Sequence, residues 1–194
     1  MNSQIQTLYT ELERFSKTND ATNTDRSRRM LNITRDTGQF LAVLVRSLRA
    51  QRILEIGTSN GYSTLWLAEA AQAVNGTVTT VESSEYKIDL AAKNFERAGL
   101  ASIITIIHDN ATNVFPHFEE ASFNLLFLDS ERSQYVAWWP NIKRVLCFGG
   151  LLVTDNAISH ASEMAPFMAM VESDESFTTS LVAVGNGEFL AVKT

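Results

Sequence analysis

The sequence predicts an α/β protein with a mostly parallel β-sheet and helices on both of its faces. Short runs of apolar and β-branched residues alternate five times with helical patterns, as in sheets whose strands are buried on both sides. Two further strand-like runs flank Asn186-Gly187, a hairpin signal that predicts an antiparallel edge. The 194 residues are enough for one domain with a single core.

The chain begins with a helical pattern whose apolar side chains include Ile5, Leu8, Leu12 and Phe15. These side chains could pack at a subunit interface or on the rest of the same chain. Residues 17–29 lack large apolar side chains, which predicts a mobile connection, either a lid or a plain linker. We therefore separate an N-terminal helix and linker, residues 1–29, from a main domain, residues 30–194.

The regular alternation of helix and strand follows this linker. Helical spacing of apolar residues predicts helices at residues 36–49, with Thr34 as N-cap, and at 62–74, 85–98, about 111–118 and 133–146. Strand-like runs cover residues 52–56, 77–82, 102–107, 123–128, 150–154, 177–184 and 187–193. This order predicts a Rossmann-like, doubly wound sheet of seven strands with an antiparallel C-terminal hairpin.

The composition argues against several classes of protein. Lys and Arg number 16 against 22 Asp and Glu, a formal net charge of −6, so we expect no nucleic-acid partner. Cys147 is the single cysteine, which argues against an intrachain disulfide and favours a reducing cytoplasm. No run of apolar residues is long enough for a membrane span, and the N-terminus lacks the pattern of a signal peptide.

The first candidate site is the segment LEIGTSNGYST, a strand followed by a glycine turn and a helix. Gly57 and Gly61 allow a close approach of the backbone to a ligand, and the helix offers free N–H groups. The spacing matches neither G-x-G-x-x-G nor the P-loop. Glu55 in the buried strand needs a cationic or multi-donor partner, for which a ligand ammonium would serve. A strand-to-helix turn without a ligand is the alternative.

Further polar residues end the next two strands. Glu82 lies where a carboxylate commonly accepts the hydroxyls of a ribose. Asn110 and Ala111 could frame an adenine ring, although Asn110 also suits a helix N-cap.

Asp129, Asp155 and Asn156 end the fourth and fifth strands. Because carboxyl ends of neighbouring parallel strands meet at one edge of a sheet, these oxygen-bearing side chains predict a site for a hard cation such as Mg²⁺. The alternative is that the two aspartates cap the helices that follow.

Together these motifs resemble the cation-dependent O-methyltransferases that use S-adenosylmethionine, a group that includes the catechol and caffeoyl-coenzyme A enzymes. The matching stretches lie between Met30 and Lys193 and read MLNITRDTGQFL, LEIGTSNGYST, VES, DNA, FNLLFLDSERSQY and GGLLVTDN. The resemblance implies methyl transfer to a hydroxyl of a small phenolic or catechol-like acceptor. It also implies a divalent cation, Mg²⁺ or else Ca²⁺ or Mn²⁺, and a homodimer.

The resemblance implies a role for each matched position. Contacts to the cofactor are implied for Ile33, Glu55, Gly57, Thr58, Ser59, Gly61, Ser63, Glu82, Asn110, Ala111 and Asp129. Ligands of the metal are implied to be Asp129, Asp155 and Asn156.

One position departs from the family pattern. Members often carry Lys three residues after the first metal-binding Asp, where it is thought to help remove the proton, and this chain has Arg132. An arginine stays protonated and cannot act as a general base, but it can stabilise a phenolate. Either the metal suffices at Asp129, or Glu131 or water takes the proton, or the activity is reduced or differently directed.

Three other functions stay open at the level of sequence. The first is a nicotinamide-dependent oxidoreductase, against which the glycine spacing and the Asp-Asn pair count. The second is a protein that binds the cofactor without catalysis. The third is a methyltransferase for another acceptor, such as a protein or a small amine.

Overall fold

The computed structural model of the protein describes residues 3–194. Its helices are α1 (Ser3–Thr22), α2 (Arg35–Leu48), α3 (Tyr62–Gln72), α4 (Glu85–Ala98), α5 (Ala111–Val114), α6 (Tyr135–Val145) and α7 (Ala161–Glu172). Its strands are β1 (Arg52–Ile56), β2 (Thr77–Glu82), β3 (Ile104–His108), β4 (Phe123–Leu128), β5 (Leu146–Thr154), β6 (Phe177–Val182) and β7 (Glu188–Lys193).

The strands form one seven-stranded sheet in the order β3-β2-β1-β4-β5-β7-β6. The first five strands pair in parallel, and β7 pairs antiparallel with both β5 and β6. This topology confirms the predicted fold class. The strand order changes direction between β1 and β4, and ligands of such sheets bind at the carboxyl ends of the strands near that point.

Helices cover both faces of the sheet because the parallel strands are apolar on both sides. In β4, Leu125 and Phe127 belong to a core shared with α1 to α4, whereas Leu126 and Leu128 belong to a core shared with α6 and α7. This alternation follows from the two-residue repeat of a strand.

The N-terminal helix α1 packs on its own chain. Ile5, Leu8 and Leu12 are buried in the same core as α2 to α4, and the ring of Tyr9 stacks on Trp66 at 4.0 Å between centroids. Three of the four apolar side chains considered for a subunit contact therefore pack within the chain, and Phe15 is 41% exposed.

Several boundaries differ from the sequence prediction. The expected mobile connection at 17–29 begins as helix, because α1 continues to Thr22. The helix expected at 111–118 ends early, since a 3₁₀ turn with Pro116 replaces its second half. Helix α7 was not predicted, and Pro166 interrupts its helical pattern. The predicted N-cap Thr34 and the predicted bounds of the helix at 85–98 are confirmed. None of the described helices is long and apolar enough to cross a membrane.

Candidate active site

A cavity of about 970 Å³ opens at the carboxyl ends of the five parallel strands. Each of these strands contributes to the lining one residue that lies at its end or shortly after it: Gly57, Glu82, Asn110, Asp129 and Asp155. The sheet thus gathers the polar strand ends that the sequence singled out into a single space. Ligand pockets of proteins commonly measure about 300 to 1,000 Å³, so the space can hold a cofactor together with a small acceptor.

The glycine loop between β1 and α3 forms one wall of this cavity. Gly57 has φ +106°, and a Cβ atom at this position would collide with the carbonyl oxygen of Asp129 at the end of β4. Gly61 has φ +86°, and a Cβ there would collide with the ring of Phe95. Both positions require glycine, because an L side chain disfavours this backbone region. The loop can therefore lie directly against the neighbouring strand.

Ser59 joins the glycine loop to two other walls. Its N–H donates to Glu82 at 2.9 Å, and its hydroxyl donates to the carbonyl oxygen of Met30 at 2.6 Å. The segment before α2 therefore lies along the loop. Ile33, which is buried in this segment, also lines the cavity.

The carboxylate of Glu55 is held by hydroxyls behind the loop. Ser63 and Thr80 each donate to it at 2.6 Å, and Thr64 donates as well. Burial raises the pKa of Glu55 to about 7, against these three hydrogen bonds, which favour the charged form. Glu55 is not among the residues that line the cavity. The hydrogen-bond donors that the sequence analysis required for Glu55 therefore come from the protein itself. In this placement the carboxylate does not reach the cavity, so it does not offer the expected direct contact to a ligand ammonium.

Thr58 and Ser63, which the resemblance implies as cofactor contacts, are buried side chains that line the cavity. Thr58 shares a hydrogen bond of 2.6 Å with Thr80, and Ser63 is bonded to Glu55. The two hydroxyl side chains are therefore fixed from behind by the same buried network.

Glu82 is oriented by backbone donors. One oxygen accepts from Ser59, and the other accepts from the N–H groups of Ser83 and Ser84 at 3.0 Å each. A carboxylate has about four acceptor sites, so an oriented Glu82 can still accept further hydroxyl groups. This is the chemistry that a ribose requires.

Asn110 and Ala111 close the cavity at the end of β3. The Asn110 side chain accepts from the N–H of Thr112 at 2.9 Å and caps α5, so the N-cap alternative is confirmed. The same residue lines the cavity, and both roles are compatible.

Asp129, Asp155 and Asn156 meet at the carboxyl ends of the neighbouring strands β4 and β5. The amide nitrogen of Asn156 donates to Asp155 at 2.9 Å and to Asp129 at 3.3 Å. Burial raises the pKa of Asp129 well above its usual range, and the nearby charge of Asp155 raises it further. Burial also raises the pKa of Asp155. Two carboxylates packed this closely repel each other unless a proton or a cation lies between or beside them.

The donor set at this position fits a hard cation. Asp155 is almost fully buried, and its Oδ1 atom has no hydrogen-bond partner in the described part of the chain. Carboxylate and amide oxygens are ligands that Mg²⁺ and Ca²⁺ prefer. Residues 3–194 contain no cluster of three or more His, Cys, Asp or Glu side chains suited to a metal, so the amide oxygen of Asn156 is needed to complete the set.

Sequence comparison with known proteins identifies the family of this chain. The model of the O-methyltransferase family matches residues 6–194. The chain is an O-methyltransferase family member. The catechol O-methyltransferase of Mycobacterium tuberculosis is 32% identical over 144 residues, 74% of this chain and 62% of that relative. The chain thus spans somewhat less than two thirds of that relative's length.

Solved structures agree with the fold. Cofactor-bound Rv0187 from MTB superposes with a TM-score of 0.80 at 26% identity, covering 94% of this chain and 88% of that one. The O-methyltransferase from Bacillus cereus in complex with SAH superposes with a TM-score of 0.81 at 23% identity, covering 97% and 91%.

Arg132 of this O-methyltransferase family member is a largely buried cation whose charge acts on both paired aspartates. Its Nε atom donates to Glu163 at 2.9 Å, and its side chain is 10% exposed. Its charge opposes the rise in the pKa of Asp129 that burial and Asp155 cause. Arg132 also lines the cavity.

Glu188 at the start of β7 is a residue that sequence reasoning missed. It is fully buried, accepts from the Thr37 hydroxyl at 3.0 Å, and has an unpartnered Oε2 atom among the described residues. Burial raises its pKa to about 9, and the charge of Asp155 adds to this effect. The signal in the sequence was a single carboxylate at the start of an otherwise apolar strand after Gly187.

Proposed function

We propose that this chain is an S-adenosylmethionine-dependent O-methyltransferase. It transfers a methyl group to a hydroxyl of a small phenolic or catechol-like acceptor with the assistance of a divalent cation, Mg²⁺ or else Ca²⁺ or Mn²⁺. Membership of the family and the name of the M. tuberculosis relative support the reaction class and the acceptor. The acidic net charge of −6 favours a small molecule over a nucleic acid.

The observation that carries the proposal is the single cavity that joins two kinds of polar site. The glycine loop, Glu82 and Asn110 lie along one part of its lining, and Asp129 and Asp155 lie along another. Methyl transfer needs a nucleophilic oxygen in line with an activated methyl group, so the two binding sites must adjoin.

The residues of the glycine loop and of β2 and β3 bind and orient the cofactor in this proposal. S-adenosylmethionine supplies a methyl group already activated on a sulfonium. Ser63 and Thr58 face its methionine part, Glu82 accepts its ribose hydroxyls, and Asn110 with Ala111 frames its adenine. Glu55 contributes from behind, because it fixes Ser63.

Asp129, Asp155 and Asn156 hold the divalent cation in this proposal. A bound cation lowers the pKa of a neighbouring phenol hydroxyl and fixes its position. In the structure the Asn156 amide nitrogen faces both carboxylates, so the amide must rotate to present its oxygen.

Arg132 stabilises negative charge on the acceptor oxygen rather than removing its proton. Glu131 is exposed and lines the same cavity, so its carboxylate or a solvent molecule can take the proton.

Methyl transfer from labelled S-adenosylmethionine to a panel of catechols tests the proposal. We expect transfer in Mg²⁺ and its loss in EDTA. Transfer that is unaffected by EDTA would contradict the role of the cation, and binding of the cofactor without transfer to any hydroxyl would contradict the reaction class.

We also propose that the chain forms a homodimer in the cytoplasm, as the resemblance and the lone cysteine suggest. The half-exposed Phe15 on α1 is available for a contact with a second copy. Sedimentation velocity of the full chain should give about twice the mass of one 21.6 kDa chain. A species of one chain's mass at all concentrations would contradict the dimer.

A further inference from the structure

The arginines that follow α1 differ in what they contact. Four arginines lie between the end of α1 and the first residue of α2: Arg26, Arg28, Arg29 and Arg35. Three have partners: Arg28 lies over the Tyr86 ring at 5.5 Å, Arg29 Nε donates to the Asn23 carbonyl at 2.8 Å, and Arg35 donates to Glu13 at 2.9 Å.

Arg26 is the exception among these four. Its exposed guanidinium lines the cavity, and within residues 3–194 it has no hydrogen-bond or ion-pair partner. A cation at the mouth of a cavity attracts anions, and it does so here on a chain whose net charge is −6.

Arg26 lies at the end of the cavity assigned to the acceptor. The pKa of Glu163 is lowered first by its hydrogen bond to Arg132 and then, more weakly, by the charges of Arg132, His160 and Arg26. His160 also lines the cavity. The negative groups at this end are Asp129 and Asp155, which are the proposed ligands of the cation, Glu131, which accepts from the Ser133 hydroxyl, and Glu163, which is bonded to Arg132.

We propose that the acceptor carries a carboxylate and that Arg26 binds it. The inference rests on the proposed function, because it specifies the acceptor of that reaction. A guanidinium binds a carboxylate through charge-assisted hydrogen bonds, and one free guanidinium at this end matches a single carboxylate. Arg26 thereby determines specificity, while Arg132 acts at the reacting oxygen.

The test compares 3,4-dihydroxybenzoate with its neutral counterpart 3,4-dihydroxybenzamide, which has nearly the same shape. The kcat/KM of the full chain should favour the benzoate. In Arg26→Gln this preference should fall about tenfold, mainly through KM, because one charge-assisted contact is lost. Arg28→Gln is the matched control: it removes the same charge two residues away, from a side chain outside the cavity lining, and should keep the preference. An unchanged preference in Arg26→Gln would overturn the inference.

Binding without turnover separates this inference from the proposed function. Trp138 lines the cavity, so quenching of tryptophan fluorescence can follow the binding of 3,4-dihydroxybenzoate. Weaker binding to Arg26→Gln than to Arg28→Gln, without methylation of any catechol, would support the anion site and contradict the proposed reaction. Equal binding to both variants would overturn the anion site, even if catechols are methylated.

Discussion

At the scale of single residues, the site depends on buried carboxylates, although the burial of a charged carboxylate costs desolvation free energy. The charge of Asp155 raises the pKa of both Asp129 and Glu188. Without a cation the buried pair of Asp129 and Asp155 destabilises the folded state, and in the proposed function the pair forms the ligand set of the cation together with Asn156. The predictions at this scale follow from that opposition.

Asp155→Asn should therefore separate stability from cation binding. In EDTA the variant should melt about 2 to 4 °C higher than the wild type, because one of two repelling carboxylates is gone, a gain of about 1 kcal/mol. Adding Mg²⁺ should raise the melting temperature of the wild type but not of the variant. Differential scanning calorimetry measures both. Glu131→Gln, which removes a carboxylate from the same cavity but not from the pair, should keep the Mg²⁺ response; equal responses in wild type and Asp155→Asn would contradict the metal site.

Glu188→Gln should flatten the dependence of stability on pH in EDTA. The pKa of Glu188 is raised to about 9 in the folded state, so the folded protein holds a proton that the unfolded chain loses near pH 4.5. The free energy of unfolding of the wild type should thus fall as pH rises between these values, by on the order of 3 kcal/mol from pH 6 to pH 8.5. Urea unfolding at pH 6 and pH 8.5 measures this slope. Glu119→Gln, a surface change of the same charge, should leave the slope as it is, and a wild-type slope in Glu188→Gln would contradict the assignment.

Arg132→Lys should keep or improve methyl transfer, because lysine retains the charge and can also exchange a proton. Arg132→Met should lower kcat about tenfold or more, because the charge near the reacting oxygen is lost. Steady-state kinetics with a catechol measure both variants. A complete loss in Arg132→Lys would instead show that the guanidinium has a substrate contact of its own.

At the scale of elements, the site depends on the close approach of the β1–α3 loop to the end of β4. Gly57→Ala should cost about 3 kcal/mol or more in urea unfolding, because the new methyl group meets the Asp129 carbonyl in addition to the strained φ. Gly149→Ala is the control: its φ is +72°, but no atom lies within 4 Å of an added Cβ, so only about 1 kcal/mol is expected. Equal costs would show that the close approach contributes nothing.

The elements that carry the site were largely predictable from the sequence. Continuous apolar strands predict a parallel sheet, and a parallel sheet collects its strand ends, so Glu82, Asn110, Asp129 and Asp155 could be placed together in advance. The direction of the Glu55 carboxylate could not be, because its donors Ser63, Thr64 and Thr80 come from α3 and β2. Glu188 was missed for the same reason, since Thr37 lies 151 residues away.

At the scale of the whole molecule, α1 completes the core rather than forming an appendage. The sequence left both options open, because an amphipathic pattern shows that a face is covered without showing by what. The structure buries that face on α2 to α4.

Leu8→Ala should therefore lower the free energy of unfolding by about 2 to 4 kcal/mol, as for a buried leucine elsewhere in a core. Phe15→Ala, on the same helix but 41% exposed, should cost less than about 1 kcal/mol. Guanidinium unfolding of dilute protein gives both values. A small effect of Leu8→Ala would show that α1 is only loosely docked.

The adjacency of the cofactor and cation sites within one cavity can be measured directly by NMR. S-adenosylmethionine carrying a ¹³C-labelled methyl group is bound to the protein without an acceptor, and Mn²⁺ is added. The methyl resonance should broaden strongly, because the paramagnetic ion held by Asp129, Asp155 and Asn156 lies near the methyl group, and Asp155→Ala should abolish the broadening. A methyl resonance that stays sharp while both cofactor and Mn²⁺ are bound would contradict a shared cavity for the two sites.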